Sequence, residues 1–276
     1  MVHFYSNIST IEEAVKVGIC LENYWFRGHS ETYGELVPGA FRKNNLGIFN
    51  SSKETTFTEE FKRQAPAFSD FIPEEINHLE WLFIMQHYGC PTRLLDWSQN
   101  ILVALYFIVK SNFKKDGELW IIEPEILNEI SKRDFKIANT SDPYVKQLAS
   151  QAFLRNDEES FTDNLVIKHP VALFPPMRFP RMINQSSVFT IHPFPDKEFD
   201  VEYDSLSAAL GGGEFIFKYK IPSICKKKLL SNLSALGINE HTLFPNLDSL
   251  SKSIKLNSAR KKQVLKEPNP PKFDEP

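Results

Sequence analysis

Residues 81–105 read WLFIMQHYGCPTRLLDWSQNILVAL. Two apolar runs flank a polar, turn-rich centre, His87-Tyr88-Gly89-Cys90-Pro91-Thr92-Arg93, with Asp96-Trp97 behind it. Flanks this apolar are buried in a folded protein. An imidazole, a phenol, a hydroxyl, a guanidinium and a carboxylate are therefore pressed against a core within a short stretch. Charges held there are either paired or used. The rest of the chain reads as a scaffold for this segment.

Working outward, Pro73 with Glu74-Glu75 opens a helix expected to reach about Tyr88, with Gly89 just past its end and Pro91 beyond. Ser98 is the expected cap of a helix over 99–112, apolar all round and so packed on several sides. Asp116-Gly117 turns into a strand over 118–122. Upstream, Thr10 and Glu13 fit a capping box opening a helix over 11–18. Tyr24-Trp25-Phe26 favours a strand over 23–30, which delivers Arg27-Gly28 to the strand's end, where sites are commonly built. Residues 44–56 are polar and read as an exposed loop. Phe57, Phe61, Ala65 and Phe68 then recur at helical spacing.

Downstream, 125–161 reads as a peripheral helical insertion without a sharp period. Strands are expected at 171–174, 187–193 and 214–221, and a short helix at 178–185. Helices follow over 224–236, stopped by Gly237, and over 247–255. Gly211-Gly212-Gly213 is a turn or lid hinge that lacks a phosphate-loop pattern. The chain reads as one domain over 1–258 and a flexible basic, Pro-rich tail over 259–276, with Arg260-Lys261-Lys262 as a solvated charge cluster.

The chain has 276 residues, enough for a sizeable core in one large or two small domains. Its net charge of −3 exerts no global pull on nucleic acid or membrane. Cys20, Cys90 and Cys225 are odd in number and far apart, which excludes a disulfide framework and a CxxC zinc pattern and points to a reducing cytoplasm. No apolar run approaches the ~20 residues of a membrane helix. His3, His78, His169, His192 and His241 show no ligand spacing, so no metal is expected.

Three groups of residues resemble a known family. Trp25-Phe26-Arg27-Gly28 resembles the (F/Y)RG signature of the FRG domain. Residues 86–97, QHYGCPTRLLDW, followed by Ala104-Leu105-Tyr106-Phe107, are similar to that family's central block. Gly237-Ile238 and Thr242-Leu243-Phe244-Pro245-Asn246-Leu247 resemble its C-terminal block. The similarity spans roughly residues 20–255. One element departs from the pattern: where the family has Gln-x-Gly-apolar-Phe, this chain has Gln185-Ser186-Ser187-Val188-Phe189, with Ser187 at the glycine position.

The resemblance implies an α+β fold, a mixed and mainly antiparallel central sheet flanked by helices. Its layout is similar to that of ADP-ribosyltransferases. It also implies a bacterial toxin-like or anti-phage-defence enzyme that binds NAD and transfers ADP-ribose to a macromolecule. In that reading Arg27 grips phosphate or ribose bidentately, with Gly28, Thr92 and Arg93 beside it. Tyr88 or Tyr106 stacks on the nicotinamide. His87 hydrogen-bonds the ribose or serves as acid and base. Gln185 or Glu214 supplies the polar group on a late strand. Two rivals stand beside it: a non-catalytic module sensing a nucleotide or nucleic acid, and a nuclease working through His87, Arg93 and Asp96. A purely structural reading pairs Arg93 with Asp96 and makes Arg93, Asp96 and Trp97 a brace.

Overall fold

The computed structural model describes residues 3–264, except 34–35, 45–46, 49–50, 70, 154–168 and 194–214. Its strands are β1 (His3–Asn7), β2 (Trp25–His29), β3 (Lys43–Asn44), β4 (Gly47–Ile48), β5 (Leu94–Ser98), β6 (Gly117–Ile122), β7 (Val171–Leu173), β8 (Ser187–Ile191) and β9 (Ile216–Ile221). Its α-helices are α1 (Ile11–Cys20), α2 (Ser51–Gln64), α3 (His78–His87), α4 (Ile101–Val109), α5 (Pro124–Lys132), α6 (Pro143–Ser150), α7 (Pro180–Asn184), α8 (Lys226–Ala235), α9 (Glu240–Leu243) and α10 (Leu247–Val264).

Seven strands form one sheet in the order β1-β9-β6-β2-β5-β8-β7. Only β1 and β9 run parallel; the other neighbours are antiparallel. The fold is α+β, as the sequence leads one to expect. One face of the sheet packs Phe26, Leu119, Ile121 and Phe217 against α1, α4 and α8. On the same face, beside that layer, Leu94, Phe189 and Ile191 meet Leu82 and Phe83 of α3 and Leu148 of α6. The opposite face carries Trp25, Leu95, Trp97, Trp120 and Ile122, covered by Leu127 of α5.

Local signals explain most boundaries. Thr10 and Glu13 form the expected capping box at α1. Gly89 (φ +80°) and Gly237 (φ +83°) take the left-handed conformation that follows α3 and α8. Gly28 answers a different need. A Cβ there would lie 2.1 Å from the Ala104 carbonyl oxygen, so its bare backbone is what lets α4 lie on β2.

Several expectations are corrected. α3 begins at His78 under an Asn77 cap, not at Pro73. α4 is capped by Asn100, not Ser98, because Asn100 accepts from the Leu102 amide while Ser98 finishes β5. The expected loop over 44–56 already contains the start of α2, and Glu54 and Thr55 are buried. The anticipated apolar stripe of α2 does not face inward: Phe57 and Phe68 are exposed, and Glu54, Thr55 and Thr58 turn toward the protein. The stretch expected to be a peripheral insertion supplies Leu127, Val145, Leu148 and Ala152 to the core. α10 continues to Val264, into the expected flexible tail. Gly211-Gly212-Gly213 and Glu214 lie outside the described residues.

Candidate functional site

The site is built where the sheet divides. β2 pairs with β6 through all five of its residues, Trp25–His29, and β5 pairs with β8 through Leu94–Ser98. Between β2 and β5 the ladder has a single rung, Phe26 opposite Ser98. Beyond it the two half-sheets part, and Arg27 fills the opening. Its Nη1 donates to the Asp96 carbonyl oxygen at 2.6 Å, and its Nε donates to His29 Nε2 at 3.2 Å. The Asp96 carboxylate stands off at 3.8 Å from Nη1. Among the described residues Nη2 makes no hydrogen bond. The side chain is 15% exposed. Burial pulls the guanidinium down to about 10, Asp96 pulls it back up and Arg42 pushes it further down, so it stays charged at neutral pH.

Alternation along β2 places His29 on the same face as Arg27. Accepting from Arg27 at Nε2 puts the His29 proton on Nδ1. That Nδ1 is buried and among the described residues has no hydrogen-bond partner. Burial, followed by the charges of Arg27, Arg42 and Lys218, drives the His29 pKa down to about 2, which keeps the ring neutral. The ring lies 6.2 Å from Trp120 and meets the edge of Tyr33 at 5.4 Å. Beside it, buried Glu118 accepts from Lys218 Nζ at 2.7 Å and from Trp120 Nε1 at 3.2 Å. His192, also buried, has Nε2 2.9 Å from Thr190 Oγ1. Burial first, then Arg27 and Arg93, lower its pKa to about 3. Around this face Arg27, Arg42 and Lys218 gather beside the carboxylate of Glu118, with that of Asp96 3.8 Å from Arg27.

The other face carries a directed chain of hydrogen bonds. The Leu94 amide donates to Thr92 Oγ1 at 3.1 Å. The Thr92 hydroxyl donates to Gln86 Oε1 at 2.6 Å. Gln86 Nε2 donates to Asp96 Oδ2, also at 2.6 Å. The chain ends at a side chain 52% exposed, although Leu95 and Trp97 on either side are buried. Arg181 of α7 feels the Asp96 charge, donates to the His87 carbonyl oxygen at 3.3 Å, and lies 4.7 Å over Phe244. The His87 ring stacks on Phe179 at 3.9 Å, and Tyr88, 65% exposed, meets it edge-on. Burial, then Arg181, lowers the His87 pKa below the ordinary histidine value.

The residues singled out from sequence separate into groups. Arg27 is at the split. Thr92 is buried and serves the chain leading to Asp96. His87 and Tyr88 lie beyond Gln86 at the end of α3, against Phe179. Arg93 does not pair with Asp96: it is fully buried and pairs with Glu54, whose Oε1 and Oε2 it meets at 3.0 and 2.6 Å. The Asp96 side chain is held by Gln86 instead, because β5 is a strand and residues three apart point to opposite faces. Gln185 is buried and donates to the Leu243 carbonyl oxygen at 3.0 Å, a link to α9 and not to Arg27. Tyr106 is packed in the α4 layer, where burial, then Glu240, pushes its phenol up to about 12. Gly28 sits under α4. At the departure from the family pattern, the left-handed residue is Ser186 (φ +47°), while Ser187 is an ordinary buried strand residue.

His29, Lys218, Glu118 and the outward role of Asp96 were not singled out from sequence. Period-two alternation from Arg27 would have pointed to His29. The others depend on strand register. Among the described residues no cluster of His, Cys, Asp or Glu is arranged to hold a metal, and no helix is long and apolar enough to cross a membrane.

No curated protein and no solved structure matches the chain. Residues 22–117, which hold β2, α3, β5 and α4, match the family model described as the FRG domain. Arg27, the relay from Thr92 to Asp96 and the single rung between half-sheets all fall inside that span, so these parts of the candidate site lie within an FRG domain over residues 22–117.

Proposed function

We propose that the chain binds NAD at the split between its half-sheets and transfers ADP-ribose to a macromolecule, in a toxin-like or anti-phage-defence role. The observation that carries this reading is Arg27. It is a nearly buried guanidinium whose Nη2 edge is unused among the described residues, next to a buried imidazole N–H that has no partner among them. An unsatisfied buried donor costs about 1–3 kcal/mol, and an anion that accepts from it would recover that cost. A guanidinium fork with a neighbouring N–H suits a diphosphate. Exposed Tyr88 offers a ring for the nicotinamide.

A non-catalytic nucleotide sensor is the second reading. It is favoured by the contacts that hold Gln185 on Leu243 and His87 on Phe179. The nuclease reading loses Arg93, which is buried against Glu54.

The test is incubation of the full chain with adenylate-labelled NAD and cell lysate. Labelled macromolecule and free nicotinamide are expected, and both should vanish in Arg27→Ala. Binding without turnover supports the sensor. Neither binding nor turnover at millimolar NAD overturns both readings.

A further inference from the structure

We propose that Asp96 is the catalytic carboxylate of this site, the group that faces the ribose carbon as nicotinamide leaves. The assignment rests on the NAD reading above and adds the acidic group which that reading lacks.

The first argument is geometric. Asp96 occupies the middle of β5, one strand from the centre of the sheet, and yet its side chain is half in water. It stands at the edge of the opening that Arg27 fills. Arg27 gives its short bond to the Asp96 backbone and leaves the carboxylate at 3.8 Å, so the two side chains are neighbours and not a closed ion pair. Among the described residues Oδ1 accepts no hydrogen bond, and it is the oxygen left for a ligand.

The second argument is the relay. Every proton in it has a fixed direction: Leu94 amide to Thr92, Thr92 hydroxyl to Gln86, Gln86 amide to Asp96. The Thr92 hydroxyl fixes which way the Gln86 amide is turned, and the amide fixes the carboxylate. An exposed polar contact contributes little to stability, about 0–1 kcal/mol. Only the last bond, Gln86 to Asp96, is exposed, and a buried Thr92 holding Gln86 so as to orient an exposed carboxylate makes more sense as pre-organisation, in which a reacting group is held by supporting hydrogen bonds. The spacing of Gln86, Thr92 and Asp96 in the central block encodes this relay.

The chemistry is balanced without any further reagent. The bond between ribose C1′ and the nicotinamide nitrogen breaks, and its electron pair leaves with nicotinamide, which becomes neutral. The positive charge passes to C1′ and the ring oxygen, where the Asp96 carboxylate stabilises it. An O–H or N–H group of the acceptor forms the new bond to C1′, and its proton passes to Asp96 and on to water.

The test compares the wild-type full chain with Asp96→Asn and Gln86→Ala, reading NAD affinity by calorimetry, nicotinamide release, and melting temperature. Asparagine keeps the shape and can still accept from Gln86. Asp96→Asn should bind NAD within about threefold of wild type while kcat falls about a hundredfold or more, the usual scale for removing one stabilising group. Gln86→Ala should lower kcat about tenfold with KM little changed, as expected of a positioning residue. Asp96→Asn with wild-type kcat overturns the assignment alone. So does a variant that loses binding and melting temperature together, since that marks a structural role. A wild-type chain that binds NAD without turnover also removes Asp96 from catalysis. A chain that does not bind NAD overturns the function on which the assignment rests.

Discussion

Arg27 and Arg93 are both guanidiniums taken largely out of water, and their surroundings differ in one respect. Arg93 is saturated. It meets both oxygens of Glu54 and donates through Nη1 to the Leu148 carbonyl and Gln151 Oε1, each at 2.9 Å. It joins α2, β5 and α6, and its side chain is fully buried, so no ligand reaches it. Arg27 spends one donor on a carbonyl and one on an imidazole, and among the described residues its Nη2 edge makes no hydrogen bond. Burial alone therefore does not separate the two arginines; the number of donors left unused among the described residues does. Of the two arginines that the sequence offers as phosphate grips, the structure makes one a rivet and leaves the other open.

The sharpest way to break this comparison is Arg93→Ala. It should cost about 3–5 kcal/mol, because Glu54 is then left buried without its partner. The loss is measurable by denaturant unfolding. Arg93→Met combined with Glu54→Gln should recover much of it. If Arg93→Ala unfolds with near wild-type stability, Arg93 is not the lock described.

His192 feels both guanidiniums, which makes pH the next test. Its folded pKa is about 3, against 6.5 for the free side chain, and His29 behaves alike at about 2. Both rings are neutral when folded. Below pH 6.5 the unfolded chain takes up protons that the folded chain refuses, so stability is full above 6.5 and falls as pH drops toward 3. The slope is roughly 1.4 kcal/mol per pH unit for each histidine. His192→Gln should flatten the fall of melting temperature with acid; an unchanged slope sinks the account.

Gly28→Ala disturbs Arg27 without touching it. The new methyl meets the Ala104 carbonyl, and α4 must lift from β2 at a cost of about 1–3 kcal/mol. NAD affinity should fall with stability in this variant. Arg27→Ala should do the reverse, losing about 1 kcal/mol of stability for its one short hydrogen bond while abolishing binding. Equal stability losses in Arg27→Ala and Arg93→Ala would erase the contrast.

The fold was legible wherever local chemistry speaks. The capping box at α1, the aromatic run of β2, the glycine stops after α3 and α8 and the alternation of β9 all declare themselves. β5 did not, because Leu94-Leu95-Asp96-Trp97 follows a turn and its single acid hides the alternation. α2 was misread for the opposite reason: its inward face is Glu54, Thr55 and Thr58, and a polar face toward the core carries no apolar period. Of the site, Arg27 was readable from its place at a strand end. The partner of Arg93 was not, since Glu54 lies 39 residues upstream in a stretch that reads as loop. Nor was the relay, whose geometry exists only once α3 and β5 are docked.

The single rung between β2 and β5 has a mechanical consequence. A continuous ladder makes a sheet a stiff plate, and here the stiffness is interrupted along one line. The line through Phe26 and Ser98 is where the two plates of the described sheet share the fewest ladder contacts, and rocking about it is the motion expected to cost least. A molecule lodged across that line is a damper. It would slow hydrogen exchange at amides of both plates that it never touches, and the pattern of slowing would trace the axis.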